Sequence, residues 1–202
     1  MASSADWLDA GMELVAEHGS PGLTIERMTE RLGLSKGSFY HHFKGVSGFK
    51  TALLAHYESQ STTRYIEAVS LDPNTEARSR IRQLIEMVVQ DDVAPALELG
   101  RQIRAWAAQD AEVREVQERI DRTRLEFLRS LWLEATSDPQ EAALVSLLQH
   151  LVLVGAAHVI PPVAPQELRR LYEMTERLAP PKPPSPRPGR VAPSAAPPKL
   201  YQ

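Results

Sequence analysis

Apolar residues over the first sixty positions recur at helical rather than strand spacing, and each run is bracketed by residues that start or stop helices. Leu8, Met12 and Val15 stand four and three apart, behind a capping-box pair in Ser3 and Asp6 and ahead of Gly19. Ile25, Met28 and Leu32 follow Thr24 and end at Gly33, which predicts a short second helix capped by the threonine. Ser35 can cap a third segment, with Phe39 and Phe43 four residues apart on one face. A fourth helix carrying Phe49, Leu53, Leu54 and Tyr57 begins near Val46 and links onward to about residue 70. Further start signals stand at Asp72-Pro73, Asp110, Asp138-Pro139-Glu141 and Pro165. They predict helices near 74–90, 95–108, 111–135, 139–160 and 165–178. No alternating run is bounded by hairpin turns and no fixed-period repeat recurs, so the expected fold is all-α with about nine helices.

From residue 179 onward the pattern ends. The segment 179–202 is dominated by proline, carries Lys182, Arg187, Arg190 and Lys199 and has no acidic residue, so it is expected to be a disordered basic tail.

Composition removes several classes of function. At 202 residues, with 43% hydrophobic and 24% charged residues, the chain suits a small module joined to a larger helical domain. Without cysteine it has no disulfide framework, thiolate zinc site or cysteine nucleophile, which fits a cytoplasmic protein. Asp6, Asp9 and Glu13 interrupt the first apolar residues, so no export signal is expected. The stretch 142–160 approaches bilayer length, but Ser146, Gln149, His150 and His158 within it and Pro161 after it favour a buried helix over a membrane span. A net charge of −3 and a pI near 6.1 argue against indiscriminate nucleic-acid binding, so any surface for DNA must be local.

Such a surface is visible at residues 24–43, TIERMTERLGLSKGSFYHHF, where two short helices flank the Gly33-Leu34-Ser35 turn without spare residues. This is helix-turn-helix spacing. Gly33 supplies a left-handed stop, Leu34 plugs the angle and Ser35 caps the second helix. With Phe39 and Phe43 inward, Lys36, Gly37, Ser38, Tyr40, His41 and His42 remain outside, where a recognition helix reads bases. Over 24–57 five basic residues, Arg27, Arg31, Lys36, Lys44 and Lys50, stand against Glu26 and Glu30. His41 and His42 diverge by about 100° as helical neighbours and are not expected to share a metal ion.

The string Gly33-Leu34-Ser35-Lys36-Gly37-Ser38-Phe39-Tyr40-His41-His42-Phe43, with Trp7 to Gly19 and Leu23-Thr24-Ile25 before it, resembles the DNA-binding region of TetR-family regulators. The likeness covers about residues 5 to 57. It implies an N-terminal helix-turn-helix domain over 1–50, linked by helix 46–70 to a ligand-binding and dimerisation domain over 51–178. It also implies phosphate contacts from Thr24, Ser35 and Tyr40, and approach to bases or backbone by Lys36, Gly37, Ser38 and His41. Two positions depart from the family pattern. Val46 stands where a lysine commonly opens the fourth helix, leaving Lys44 or Lys50 as the phosphate grip, and Thr29 replaces a small apolar residue.

One such module would bind weakly, so a homodimer spanning two half-sites of double-stranded operator DNA is expected. The helix over 142–159 is apolar around nearly its whole circumference, as a helix serving both a core and a partner must be. Leu147, Leu151, Val154 and His158 on it, with Leu168, Leu171, Tyr172 and Thr175 on the last helix, are the candidate dimer interface, a four-helix pairing that the resemblance also implies. Met87, Trp106, Phe127, Trp132 and His150 are candidates to line a cavity for an unknown small, mostly apolar effector, although residues of these types at this spacing are also ordinary core. His150 and His158 lie about 12 Å apart along one helix, too far to share a metal. The alternating charges over 112–126 read as a solvated face.

The expected activity is that of a repressor released by its ligand. No nucleophile elbow, Walker loop, dinucleotide glycine pattern or HExxH helix is present, so no catalytic residue, cofactor or metal is expected. The alternative is a protein-binding adaptor, or a ligand-independent regulator, that recruits a partner through the proline-rich tail.

Overall fold

The computed structural model describes residues 3–90 and 93–179, and the proline-rich tail beyond 179 lies outside the described residues. The helices are α1 (Ser4–His18), α2 (Ile25–Leu32), α3 (Lys36–His42), α4 (Val46–Glu58), α5 (Arg64–Ser70), α6 (Ala77–Gln90), α7 (Val93–Ala107), α8 (Ala111–Thr136), α9 (Pro139–His158) and α10 (Pro165–Leu178). A π-helical turn, Ser59–Thr63, joins α4 to α5 with helical backbone on both sides, so 46–70 is one continuous rod. The described residues thus form nine helical rods and no strand.

The chain starts these helices where its polar residues can satisfy free amides. Ser3 and Asp6 form a reciprocal capping box on α1. Asp110 accepts from the amides of Glu112 and Val113, and Asp138 accepts from those of Gln140 and Glu141. The predicted start at Asp72-Pro73 is corrected. Asp72 closes a turn by accepting from the Asn74 amide and the Thr75 hydroxyl, and α6 begins only at Ala77.

Two apolar clusters hold the fold. The first joins Trp7, Leu14, Met28, Phe39, Phe43, Phe49, Leu53 and Leu54 of the N-terminal helices to Ile103, Val113, Val116 and Ile120 of α7 and α8. The expected domain boundary near residue 50 is therefore not a break in packing. The second unites α6, α8, α9 and α10 around Ile81, Ile85, Trp132, Ala142, Val145 and Leu168. Inside it the Trp132 indole N–H donates to Gln149 Oε1 at 2.8 Å, and Gln149 Nε2 donates to Thr175 Oγ1 at 2.9 Å. This relay satisfies buried polar atoms on three helices, which explains why Gln149 and Thr175 can be interior.

α9 is long and apolar enough, by length and composition, to cross a membrane. In the fold it buries Ala142, Val145, Ser146, Gln149, His150, Ala156 and Ala157 within the protomer. Its other side exposes Leu144, Leu147, Leu148 and Leu151, beside Leu171, Met174 and Leu178 of α10. Three expected interface residues are corrected here: Leu168, Tyr172 and Thr175 face the protomer's own core. Their i, i+4, i+7 spacing forms one stripe, while 171, 174 and 178 form another about a quarter of a turn away.

Candidate nucleic-acid interface and internal cavity

The turn between α2 and α3 is built locally. Thr24 Oγ1 accepts from the Arg27 amide and Ser35 Oγ from the Ser38 amide, both at 3.3 Å. Gly33 sits at φ +64°, the left-handed conformation that ends α2. Each capping hydroxyl acts as an acceptor toward the helix and keeps its own proton to donate outward. α3 is fastened from beneath by Phe39, whose ring meets those of Trp7, Phe43 and Phe49 at 5.4 to 5.5 Å between centroids. That anchoring leaves Lys36, Gly37, Tyr40, His41 and Lys44 exposed and Ser38 half-buried along one surface. A Cβ on Gly37 would meet only Ser35 Oγ at 3.6 Å, so nothing inside the fold demands a glycine there.

The charges are redistributed by folding. Arg31 pairs with Glu13 and Glu17 of α1, and Lys36 with Glu26 across the turn. Hydrogen bonding to Glu26 raises the Lys36 pKa, and Lys36 in turn lowers that of Glu26. Lys50 is corrected as a phosphate grip. Its ammonium is 2.7 Å from Glu112 and 2.9 Å from Asp110 at the start of α8, and the bond with Glu112 is the largest influence raising its pKa. Of the two lysines near the start of α4, Lys44 is the one exposed on the α3 side.

A cavity of about 640 Å³, its mouth included, lies between the α4–α5 rod and helices α6, α8, α9 and α10. Ile81, Leu84, Ile85, Phe127, Leu128 and Leu153 form its apolar wall, while Ser61, Thr62, Tyr65, Arg124, Gln149, His150 and Tyr172 bring polar atoms to it. Such a lining, mostly apolar with a few polar groups, suits a small organic guest. Phe127 and His150 are therefore placed at a cavity as expected, and three other candidates are not. Trp132 is fully buried and bonded to Gln149, Trp106 packs against the first cluster, and Met87 packs on the second outside the lining. His150 is tied to Asp121, 3.3 Å away, which also receives two bonds from Arg104. Burial alone would raise the Asp121 pKa, but these bonds from His150 and Arg104 outweigh it and hold the carboxyl far below the usual range.

Residues 8–56 match the sequence model of the bacterial regulatory proteins, tetR family. That N-terminal segment is similar to the tetR family's, and the match covers about a quarter of the chain. It is 30% identical over 103 residues to the HTH-type transcriptional repressors AcnR of Corynebacterium efficiens and Corynebacterium glutamicum, a stretch covering 50% of this chain and 51% of each relative. The chain thus spans about half the length of the curated relatives it matches. The likeness of fold to solved structures extends further than the likeness of sequence. A transcriptional regulator from Rhodococcus sp. Rha1 superposes with a TM-score of 0.70 at 14% identity, covering 88% of this chain and 96% of the other. The regulatory protein TetR from Rhodobacter sphaeroides gives 0.68 at 19% identity, covering 86% and 96%. SCO4454, a TetR-family transcriptional regulator from Streptomyces coelicolor, gives 0.69 at 14% identity, covering 87% and 94%.

Sequence reasoning missed the ties between the helix-turn-helix and the rest of the chain. Glu58 of α4 accepts from Arg119 of α8, His56 meets Asp9 at 2.7 Å, and Thr51 donates to Glu112. Arg119, Asp121 and Arg124 belong to the charge run that reads as a solvated face, yet each is tied to another helix. Helical periodicity of charges on α8 carries no signal for partners sixty residues away.

Proposed function

We propose that the protein is a transcriptional regulator that binds a palindromic duplex as a homodimer through α3 and is released by a small, largely apolar ligand. The observation that carries this reading is the α4–α5 rod. One end contributes Phe49, Leu53 and Leu54 to the core beneath the reading helix, and the other contributes Thr62, Tyr65 and Ile66 to the cavity wall. A guest that favours a different placement of the rod changes the separation of two reading helices. It can do so only through differential affinity, about 5.5 kcal/mol for a nearly complete switch.

Thr24, Ser35 and Tyr40 are assigned to phosphates, with Lys44 taking the role expected of the fourth-helix lysine, and Lys36, Gly37, Ser38 and His41 to the groove. Lys36 must exchange Glu26 for a base edge. The exposed leucines of α9 and α10 supply a self-complementary patch for the dimer, to which Leu147, Leu151, His158 and Leu171 belong. Val154 is only half-buried beside a second hollow and stands at the edge of that patch. The buried Gln149 and His150 favour this soluble role for α9 over a membrane span, and a cytoplasmic location follows from it.

Selection of duplexes from a random pool tests the reading. A recovered palindrome, with half-sites one or more helical turns apart, is the expected outcome. A chain that stays a single subunit and shows no preference among duplexes at moderate ionic strength overturns it.

A further inference from the structure

We infer that the cavity takes a small apolar carboxylic acid, whose carboxylate is held by Arg124 and the Tyr172 hydroxyl and which thereby loosens the π-helical turn of the rod. The inference rests on the ligand-released reading above and deepens it by naming the ligand's chemistry.

Three observations converge. Arg124 stands in the cavity wall with only neutral partners among the described residues: its Nε donates to Thr62 Oγ1 at 2.9 Å and its Nη2 to the Ser61 carbonyl at 2.7 Å. A half-buried guanidinium facing aliphatic walls without a carboxylate beside it is a charge awaiting a counter-ion. Tyr172 is the second observation. It is 5% exposed, lines the same cavity, and its hydroxyl has no hydrogen-bond partner among the described residues. Burial pushes the phenol well above its usual value and the Arg124 charge opposes that shift, so the two groups are in electrostatic reach and the phenol stays a donor at neutral pH. The other polar groups at the wall are already engaged, His150 with Asp121 and Gln149 with Trp132 and Thr175. The third observation is the remaining wall, Ile81, Leu84, Ile85, Phe127, Leu128 and Leu153, which offers only apolar contact to the rest of a guest. A second hollow adjoins the first through Ser61, Tyr65, Arg124 and Leu153, on the side where a longer chain would extend.

The coupling follows from Arg124's partners. Ser61 and Thr62 belong to the π turn that joins α4 to α5, and the guanidinium bridges that turn to α8. Charge-assisted bonds to a carboxylate are stronger than bonds to a neutral carbonyl and hydroxyl, so a bound acid draws Arg124 away from the rod. The π turn then loses its tie to α8, and the rod that carries the reading helix gains freedom.

Calorimetry on the full chain without DNA provides the test, using octanoate, decanoate, dodecanoate and 4-phenylbutyrate, each beside its primary alcohol and primary amide. At least one acid should bind ten-fold or more tighter than its alcohol and amide. R124M should bring that ratio near one, and Y172F should cut it about three- to ten-fold, the worth of one ordinary hydrogen bond. If R124M does not fold, Y172F decides, because it removes a single oxygen. Amide hydrogen exchange over 59–66 should quicken when the favoured acid binds. The inference is overturned if no acid in the panel binds, if acid and alcohol bind alike, if Y172F keeps the wild-type ratio, or if exchange over 59–66 is unchanged by the acid. Duplex selection run without any acid reads the parent proposal separately, since its failure leaves the calorimetric ratio standing.

Discussion

The two apolar clusters use the same kinds of residue to opposite ends. Around α3 the rings of Trp7, Phe39, Phe43 and Phe49 fill the space between short helices, with Phe43 and Phe49 edge-to-face at 4.9 Å. Around α6, α8, α9 and α10 a comparable set of apolar side chains stops short of closing and leaves a chamber. Under the proposed function, a rigid head holds one geometry against a duplex, whereas a body that answers to a ligand keeps alternative packings close in energy. The head's apolar core is closed by ring packing, whereas the body's apolar core, with its buried polar relay, leaves a chamber open.

The comparison breaks most sharply at Phe39. Replacing it with Ala should cost about 3–5 kcal/mol, because its fully buried ring packs against those of Trp7, Phe43 and Phe49. Thermal melts followed by circular dichroism would register the loss, together with loss of duplex binding. If the body alone sets the stability, the melt will not move. Next in size is the dimer patch. Leu147→Glu with Leu151→Glu should weaken self-association at least a hundred-fold, each leucine being worth about 1.5–3 kcal/mol of burial. Sedimentation at several concentrations measures this, and the isolated subunit should keep its melting temperature.

A smaller effect tests whether the head reads bases. Lys36→Ala should cost about 1–3 kcal/mol of selected-site affinity and relax preference at one position, while Lys44→Ala should weaken all duplexes alike and lower the salt slope by about one. A change confined to the reverse pattern would exchange the two roles. In the body, Asp121 provides a pH test. Its folded pKa lies below the ordinary 3.8, so its stabilising effect is complete above that value and is lost as pH falls through the folded one. Urea melts of wild type against Asp121→Asn should therefore diverge near neutral pH and converge toward strong acid; a constant difference would show that the bonds with His150 and Arg104 contribute nothing. The smallest effect concerns Glu26→Gln, which removes an acid facing the duplex and releases Lys36. Duplex binding at fixed salt should tighten by up to about five-fold, the scale of an exposed ion pair.

Legibility differed between the regions for the same physical reason. In the head each element is decided within three or four residues: Thr24 and Ser35 cap their own helices, Gly33 stops α2, and Phe39 and Phe43 share a face. Local rules suffice there, and the helix-turn-helix was readable to within a residue. In the body the helices were equally readable, with the exception of α6, where Asp72 serves a turn rather than a cap. What they do with their side chains was not. Trp132 and Phe127 are both aromatics on α8, and only the position of Gln149 separates a bonded core residue from one that lines a cavity. Leu168 and Leu171 sit three apart on α10, and only the packing of α9 makes one interior and the other exposed.

The amino-acid sequence by itself determined the helical class, nearly every helix boundary and the string that carries the family likeness, because caps, stops and apolar periodicity act over a single turn of backbone. Tertiary structure decided where charges and cavities lie. The basic run of the head is met by Glu13, Glu17, Asp110 and Glu112 from distant helices, and Tyr172 turns inward beside Arg124 rather than outward to a second subunit. Those outcomes depend on which faces of separate helices meet, and periodicity along one chain holds no record of that.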